Sequence, residues 1–252
     1  MTRSPSAVAT FRSAAFYGLG ILWTLALGIP YLLLFLLPRR HLQNCGAFYC
    51  RGLLVILRLT TGLSHQVRGL ENLPPAPYML ASKHQSAWEA LALPTVVDRP
   101  SIVLKRSLYK IPVFGWYLNA AGMIGIDRRA GARALRTMIN EGRRAIADGR
   151  PILIFPEGTR TAPGESRSFH VGITALYASL AIPVVPVALN SGVYWPKDSL
   201  AKRPGRIIVQ ILPPIPPGLP RADFNERLHR AINRESDRLV EEVAAQGPLS
   251  NH

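Results

Sequence analysis

The side chains best suited to proton transfer lie in one stretch, Ser82-Lys83-His84-Gln85-Ser86-Ala87-Trp88-Glu89. A carboxylate on one imidazole nitrogen fixes the tautomer. The other nitrogen is then a base that can take a proton from a hydroxyl. His84 and Glu89 are five residues apart, so they fall on different faces of one regular helix. They meet only if His84 precedes the helix and Glu89 lies in its first turn. The neighbours allow this: Tyr78-Met79-Leu80-Ala81 reads as a buried strand and Ala87–Leu93 as the start of a helix. A bland reading stands beside the catalytic one. Ser86-x-x-Glu89 is also a capping box, with Glu89 satisfying a backbone N–H and His84 an ordinary junction residue.

Two other apolar runs end in arginine. Pro151-Ile152-Leu153-Ile154-Phe155 is broken by Pro156-Glu157-Gly158-Thr159-Arg160, and Gly122-Met123-Ile124-Gly125-Ile126 by Asp127-Arg128-Arg129. Ligands of open α/β sheets bind beyond the carboxyl ends of the strands. If these strands are parallel neighbours, a base and two guanidinium groups line one crevice. A planar guanidinium suits phosphate oxygens. Lys105 follows Ile102-Val103-Leu104; it is either a solvated lysine or a third phosphate-binding cation.

These segments together resemble the glycerolipid acyltransferase family that acylates lysophosphatidic acid. His84 and Glu89 are similar to its first motif, His, four residues, then Asp, with Glu for Asp. Gly122-x-Ile124-x-Ile126-Asp127-Arg128 resembles the second, and Phe155-Pro156-Glu157-Gly158-Thr159-Arg160 matches the third. Ile182-Pro183-Val184-Val185-Pro186-Val187 resembles the fourth. The family often has Phe-Lys-x-Gly where this chain has Phe169-His170-Val171-Gly172, and a larger residue where Gly125 stands.

The resemblance implies an acyltransferase. It moves an acyl group from acyl-CoA or acyl carrier protein to the sn-2 hydroxyl of 1-acylglycerol 3-phosphate, making phosphatidic acid. It implies His84 and Glu89 as the catalytic pair and Lys105, Arg128, Glu157, Gly158, Thr159 and Arg160 as substrate-binding. Pro183, Val184, Val185 and Pro186 would be acyl-chain-binding. It implies no metal and no bound cofactor, and a place on the cytoplasmic face of a bacterial-type inner membrane. Two alternatives remain: another lysolipid acceptor (lyso-ornithine lipid, lysophosphatidylglycerol), or a non-catalytic basic protein bound to membranes.

The elements that must position these residues form an α/β pattern from Ser64 onward. Strands read near 64–68, 77–82, 101–104, 123–127, 151–155, 183–189 and 206–212, and helices near 87–93, 114–121, 131–148, 170–181 and 223–245. The expected fold is a mixed, mostly parallel sheet flanked by helices. Ile111–Leu118 is aromatic and apolar and reads first as core, second as the lining of an acyl tunnel.

The first 63 residues differ. Ala14–Leu37 runs 24 residues without a charge, which as a helix is about 36 Å long, enough to cross a hydrocarbon core. Pro30 would kink it. Leu42–Leu63 is a second apolar segment, with Arg51 and Arg58 on one helical face. Basic residues on both sides of the first segment weaken the positive-inside argument. They suit a helical hairpin dipping into one leaflet; a single span is the other option. The division expected is 1–63 as a membrane-anchoring hairpin and 64–252 as the α/β domain.

Lys and Arg number 30 against 15 Asp and Glu, for a net charge of +15. Such a balance implies an anionic partner: a phosphorylated substrate, an acidic carrier or an anionic membrane surface. No basic arm or zinc-finger spacing points to nucleic acid. Cys45 and Cys50 alone permit neither a disulfide framework nor a four-cysteine metal site.

Overall fold

The computed structural model describes residues 6–245, apart from Leu34, Leu36 and Leu37. Seven strands form one sheet: β1 (Leu63–Arg68), β2 (Met79–Ser82), β3 (Ser101–Lys105), β4 (Ile124–Ile126), β5 (Ile152–Ile154), β6 (Val184–Leu189) and β7 (Gly205–Ile211). Their spatial order is β1-β7-β6-β2-β5-β3-β4. Every pairing is parallel except β6 with β7. The expectation of a mixed, mostly parallel sheet with flanking helices therefore holds.

The helices are α1 (Ala7–Leu33), α2 (Arg39–Thr61), α3 (Trp88–Val96), α4 (Phe114–Ala120), α5 (Ala132–Ala147), α6 (Val171–Leu180), α7 (Ser191–Tyr194) and α8 (Arg221–Ala245). Strands buried on both faces need apolar side chains at every position. In β6 the residues Val184 to Leu189 are all buried, and successive side chains point to opposite faces. Val185 and Val187 pack with Trp88, Leu93 and Leu57, whereas Val184 packs with Leu176, Phe224 and Leu228. The two apolar clusters thus sit one on each face of the sheet.

The N-terminal segments form a hairpin. Tyr31 donates its hydroxyl to the Cys45 carbonyl at 2.6 Å and Trp23 its indole N–H to the Tyr49 carbonyl at 3.2 Å, so α1 and α2 run antiparallel. Leu54 and Leu57 of α2 and Phe16 of α1 belong to the same apolar cluster as the strands. The hairpin is therefore docked on the sheet unit. Its outer face leaves Phe11, Ile21, Leu22, Leu25, Leu33 and Leu59 exposed. Among the described residues no helix is long and apolar enough to cross a membrane; Leu34, Leu36 and Leu37 of the Ala14–Leu37 run lie outside them.

One expectation fails clearly. Ile111, Pro112, Val113, Phe114 and Trp116 are exposed, Trp116 by 56%, so most of this aromatic stretch is surface rather than core. Only Gly115 and Leu118 are buried.

Candidate active site

His84 stands two residues past β2 and four before α3. The chain turns there because the carboxylate of Glu89, in the first turn of α3, gathers the preceding backbone. Its Oε1 accepts from the Ser86 N–H at 2.7 Å and from the Gln85 N–H. Ser86 in turn accepts the Trp88 N–H through its hydroxyl at 3.1 Å. The same Oε1 lies 3.2 Å from His84 Nδ1. One carboxylate thus makes both the capping contacts and the contact with His84. Bending the chain around Glu89 is what brings His84 to it.

This geometry sets the tautomer. Nδ1 carries the hydrogen toward Glu89, and Nε2 keeps its lone pair. Among the described residues Nε2 has no hydrogen-bond partner. Phe155 stacks on the imidazole, centroids 4.2 Å apart and planes 23° from parallel, which fixes the ring orientation further. Glu89 is fully buried and His84 is 19% exposed, the arrangement of a base with one face to solvent.

Three residues not expected at the site, Ser191, Lys83 and Asn233, support it. Ser191, at the end of β6, donates its hydroxyl to Glu89 Oε2 at 2.9 Å. Lys83 is buried under the site and gives its three N–H bonds to Glu157 Oε1 at 2.6 Å, Asn233 Oδ1 at 2.7 Å and the Glu165 carbonyl at 2.9 Å. Those acceptors use all three ammonium donors. Lys83 and Glu157 each follow the end of an apolar strand, a pairing that could have been sought; Ser191 and Asn233 offer no comparable cue.

Glu157 does not face a ligand. Its side chain is completely buried. Besides Lys83 it accepts the His84 N–H at 3.2 Å and the Thr161 hydroxyl at 3.2 Å. Thr161 N–H binds the His84 carbonyl at 2.8 Å. The Pro156–Thr161 turn is thus stapled to the backbone of His84, and its Thr159 and Arg160 are left exposed. Gly158 takes a positive φ of 66°, and the His170 ring lies against it, so a Cβ there would clash.

The strand order puts the C-terminal ends of β6, β2, β5, β3 and β4 in one row. They deliver Ser191, His84, the Pro156–Arg160 turn, Lys105 and Arg128 in turn. The Arg128 Cζ lies 3.5 Å from the position of a Cβ at Gly158, so this guanidinium reaches back across β3 to the turn. Asp127 caps its own turn by accepting the Arg129 N–H at 3.1 Å. Lys105, Arg128 and Arg160 are exposed and have no ion pair among the described residues. Gly125 leaves room for the Tyr109 ring, whose hydroxyl donates to the Met123 carbonyl at 2.6 Å.

The four residues expected to hold an acyl chain sit elsewhere. Val184 and Val185 are fully buried in the two apolar clusters, and Pro183 is half-buried. Pro186 lines a groove with Leu212, Pro213 and Arg227 beside α8. Apolar strand residues serve a core and a chain tunnel equally well on paper; here Val184 and Val185 build the sheet interior. Among the described residues no group of three or more His, Cys, Asp or Glu side chains could hold a metal ion.

Residues 64–190 match the family model described as Acyltransferase. The chain is 38% identical over 198 residues to the 1-acyl-sn-glycerol-3-phosphate acyltransferase of Pseudomonas aeruginosa, covering 79% of this chain and 76% of that one. It is 31% identical over 209 residues to the mouse 1-acyl-sn-glycerol-3-phosphate acyltransferase alpha, covering 81% and 72%. Its fold is similar to the crystal structure of the 1-acyl-sn-glycerophosphate (LPA) acyltransferase PlsC from Thermotoga maritima. The TM-score is 0.75 at 21% identity, over 96% of this chain and 98% of that one. The match spans the turn of His84, both strand-end arginines and the whole of β6, and on it the chain belongs to the Acyltransferase family.

Proposed function

We propose that this protein transfers an acyl group from an acyl thioester, on coenzyme A or acyl carrier protein, to the sn-2 hydroxyl of 1-acylglycerol 3-phosphate. The product is phosphatidic acid. The observation that carries the reading is His84: Nδ1 on a buried carboxylate, Nε2 unpaired, at the end of β2 beside unpaired cations.

His84 Nε2 takes the hydroxyl proton as the acceptor oxygen attacks the thioester carbonyl. Glu89 steadies the imidazolium that forms. When the tetrahedral intermediate collapses, the C–S bond breaks and the imidazolium returns the proton to the departing sulfur. His84 is neutral again, and no covalent enzyme intermediate is needed. Arg128 and Arg160, with Lys105, hold the acceptor phosphate; charge-assisted contacts of this kind are the strong ones. Glu157 and Lys83 position rather than bind, by tying the Arg160 turn to the His84 backbone. The α1–α2 hairpin, with its exposed apolar face, keeps the enzyme at an anionic membrane surface where acceptor and product reside.

Purified protein assayed with a panel of lysolipids and both thioester donors tests this. Acylation of 1-acylglycerol 3-phosphate above the other lysolipids, abolished in His84→Ala, is the expected result. Preference for an acceptor without a phosphomonoester would overturn the acceptor assignment.

A further inference from the structure

The surface segment Ile111–Trp116 lies just beyond the strand end that carries Lys105. Its backbone is closed on itself. Phe114 N–H binds the Pro112 carbonyl at 2.7 Å, Gly115 N–H the Ile111 carbonyl at 2.7 Å and Tyr117 N–H the Val113 carbonyl at 2.9 Å. Gly115 is buried so closely against the carbonyls of Leu108 and Tyr109 that no side chain fits there. Val113 takes a φ of 61°, a strained conformation for a β-branched residue. The result is a tight knuckle whose polar backbone is largely internal and whose large side chains point out. Ile111, Phe114 and Trp116 are exposed by 45%, 46% and 56%.

Three features say what covers these side chains. The first is charge: Lys105, Arg106 and Lys110 rim the knuckle, exposed and without an ion pair among the described residues. Glu141, which acts on the neighbouring Tyr109, is held by Arg144, and Asp127, next to the Ile126 that pairs with Lys105, accepts the Arg129 N–H. The second is backbone satisfaction, the condition for placing chain in lipid. The third is continuity. Tyr117 donates its hydroxyl to the Leu42 carbonyl at 2.9 Å, and Gln43 donates to the Ala121 carbonyl at 2.7 Å. These bonds fasten α4 to the start of α2, beside the end of α1 where Leu32 and Leu33 are exposed.

We infer that Ile111–Trp116 is a second membrane-inserting element, separate from the hairpin, whose occupant is an anionic lipid bilayer. Aromatic and apolar side chains enter the interface while the basic rim meets the headgroups. Inserted so, the knuckle brings Lys105 and the row of strand ends down to headgroup level. A phosphorylated acceptor then reaches His84 from the bilayer without passing through water. This last consequence rests on the acyl-transfer reading; the insertion itself does not.

The test uses the full-length protein bound to vesicles of phosphatidylglycerol and phosphatidylcholine. The emission of Trp116 is isolated as the difference between wild type and Trp116→Phe. Lipids brominated on the acyl chains should quench that difference signal, and aqueous acrylamide should not. Quenching by acrylamide alone would overturn the inference, and so would a Trp116→Phe change in oligomeric state, which would make the knuckle an interface between copies. This readout needs no turnover, so it stands apart from the proposed reaction. In the second arm, Phe114→Ser/Trp116→Ser should lower the rate on vesicle-embedded acceptor roughly tenfold, the scale of losing buried aromatic surface. The rate on a short-chain, monomeric lysophosphatidate should stay within about twofold. Equal losses on both acceptors would mean a fold defect and would sink the membrane role.

Discussion

Two lysines of this protein are buried, and they are treated in opposite ways. Lys83 lies under the active site with a carboxylate, an amide oxygen and a carbonyl on its three donors. Lys202 lies where α1 meets the sheet unit, with no carboxylate on it among the described residues. Its Nζ donates to the Leu200 carbonyl at 2.7 Å. It otherwise faces the rings of Tyr17, Trp195 and Phe16 at 3.5, 4.4 and 4.9 Å. The first lysine is answered charge for charge, and the second by one carbonyl and three ring faces. The difference teaches where the molecule is rigid. Lys83 locks β2, the Glu157 turn and α8 into one floor beneath His84. Lys202 makes a joint for the hairpin whose strength depends on whether its ammonium is charged.

The sharpest way to break the contrast is Lys83→Met. It leaves Glu157 as a buried carboxylate without its cation, a loss on the order of 3–5 kcal/mol. Unfolding measured by urea titration in detergent should show it. Lys83→Met/Glu157→Gln should recover part of the loss. A single variant as stable as wild type would mean that the pair adds nothing to the floor.

Glu89→Gln removes a charge from the answered side while keeping its shape. The amide oxygen can still accept the Gln85, Ser86 and His84 hydrogens, and the amide nitrogen can donate to Ser191. Stability should therefore fall by less than about 1 kcal/mol. The imidazolium loses its counter-charge, so kcat should fall on the order of 10²–10³. Near-normal turnover in a folded Gln variant would reduce Glu89 to its capping role.

The cations on the rim are unanswered too, but exposed and waiting for an anion rather than for a ring. Arg160→Ala and Arg128→Ala should each raise the acceptor KM, by an amount corresponding to about 1.5–3 kcal/mol. The donor KM should hardly move. A selective effect on the donor would transfer these arginines to the thioester side.

These outcomes bear on how much a reader of the sequence can see. The meeting of His84 with Glu89 was legible because a strand, a junction and a capping pattern are local. All seven strands were legible for the same reason, with ends displaced by a residue or two. The support was not. Ser191 reaches Glu89 across 102 residues and Asn233 reaches Lys83 across 150, and no local pattern marks such partners. Glu157 was visible as a motif residue, but not its direction, which a buried lysine decides. Apolar runs were the least legible. Val184 and Val185 are core and Ile111–Trp116 is surface, because hydrophobicity records a dislike of water without naming what replaces it. That α2 packs on the sheet unit depended likewise on Leu54 and Leu57 finding the strands.

The smallest expected effect belongs to Lys202, and it is a matter of pH. Burial pushes its ammonium down from the ordinary 10.5 to about 7. In the unfolded chain the lysine keeps its proton up to the ordinary value, whereas the folded protein releases it near neutrality. Between those limits unfolding takes up a proton, so stability rises with pH across that window. Below about pH 7 both states are protonated and the cost of burying the charge is complete. The three ring faces oppose that cost, at about 0.5–2 kcal/mol for a cation–π contact. Lys202→Met keeps a flexible apolar stem among the rings and removes the titration. At pH 6 the variant should be the more stable, and the difference should shrink as the pH rises to 10 and the wild type gains stability. Tyr17, whose phenol burial also pushes up, stays neutral over most of this range and does not confuse the difference. Urea midpoints of both proteins, measured from pH 6 to 10 in the same detergent, give the comparison directly. Parallel curves would mean that the rings hold the ammonium charged throughout, and the joint would then be as firm as the floor under His84.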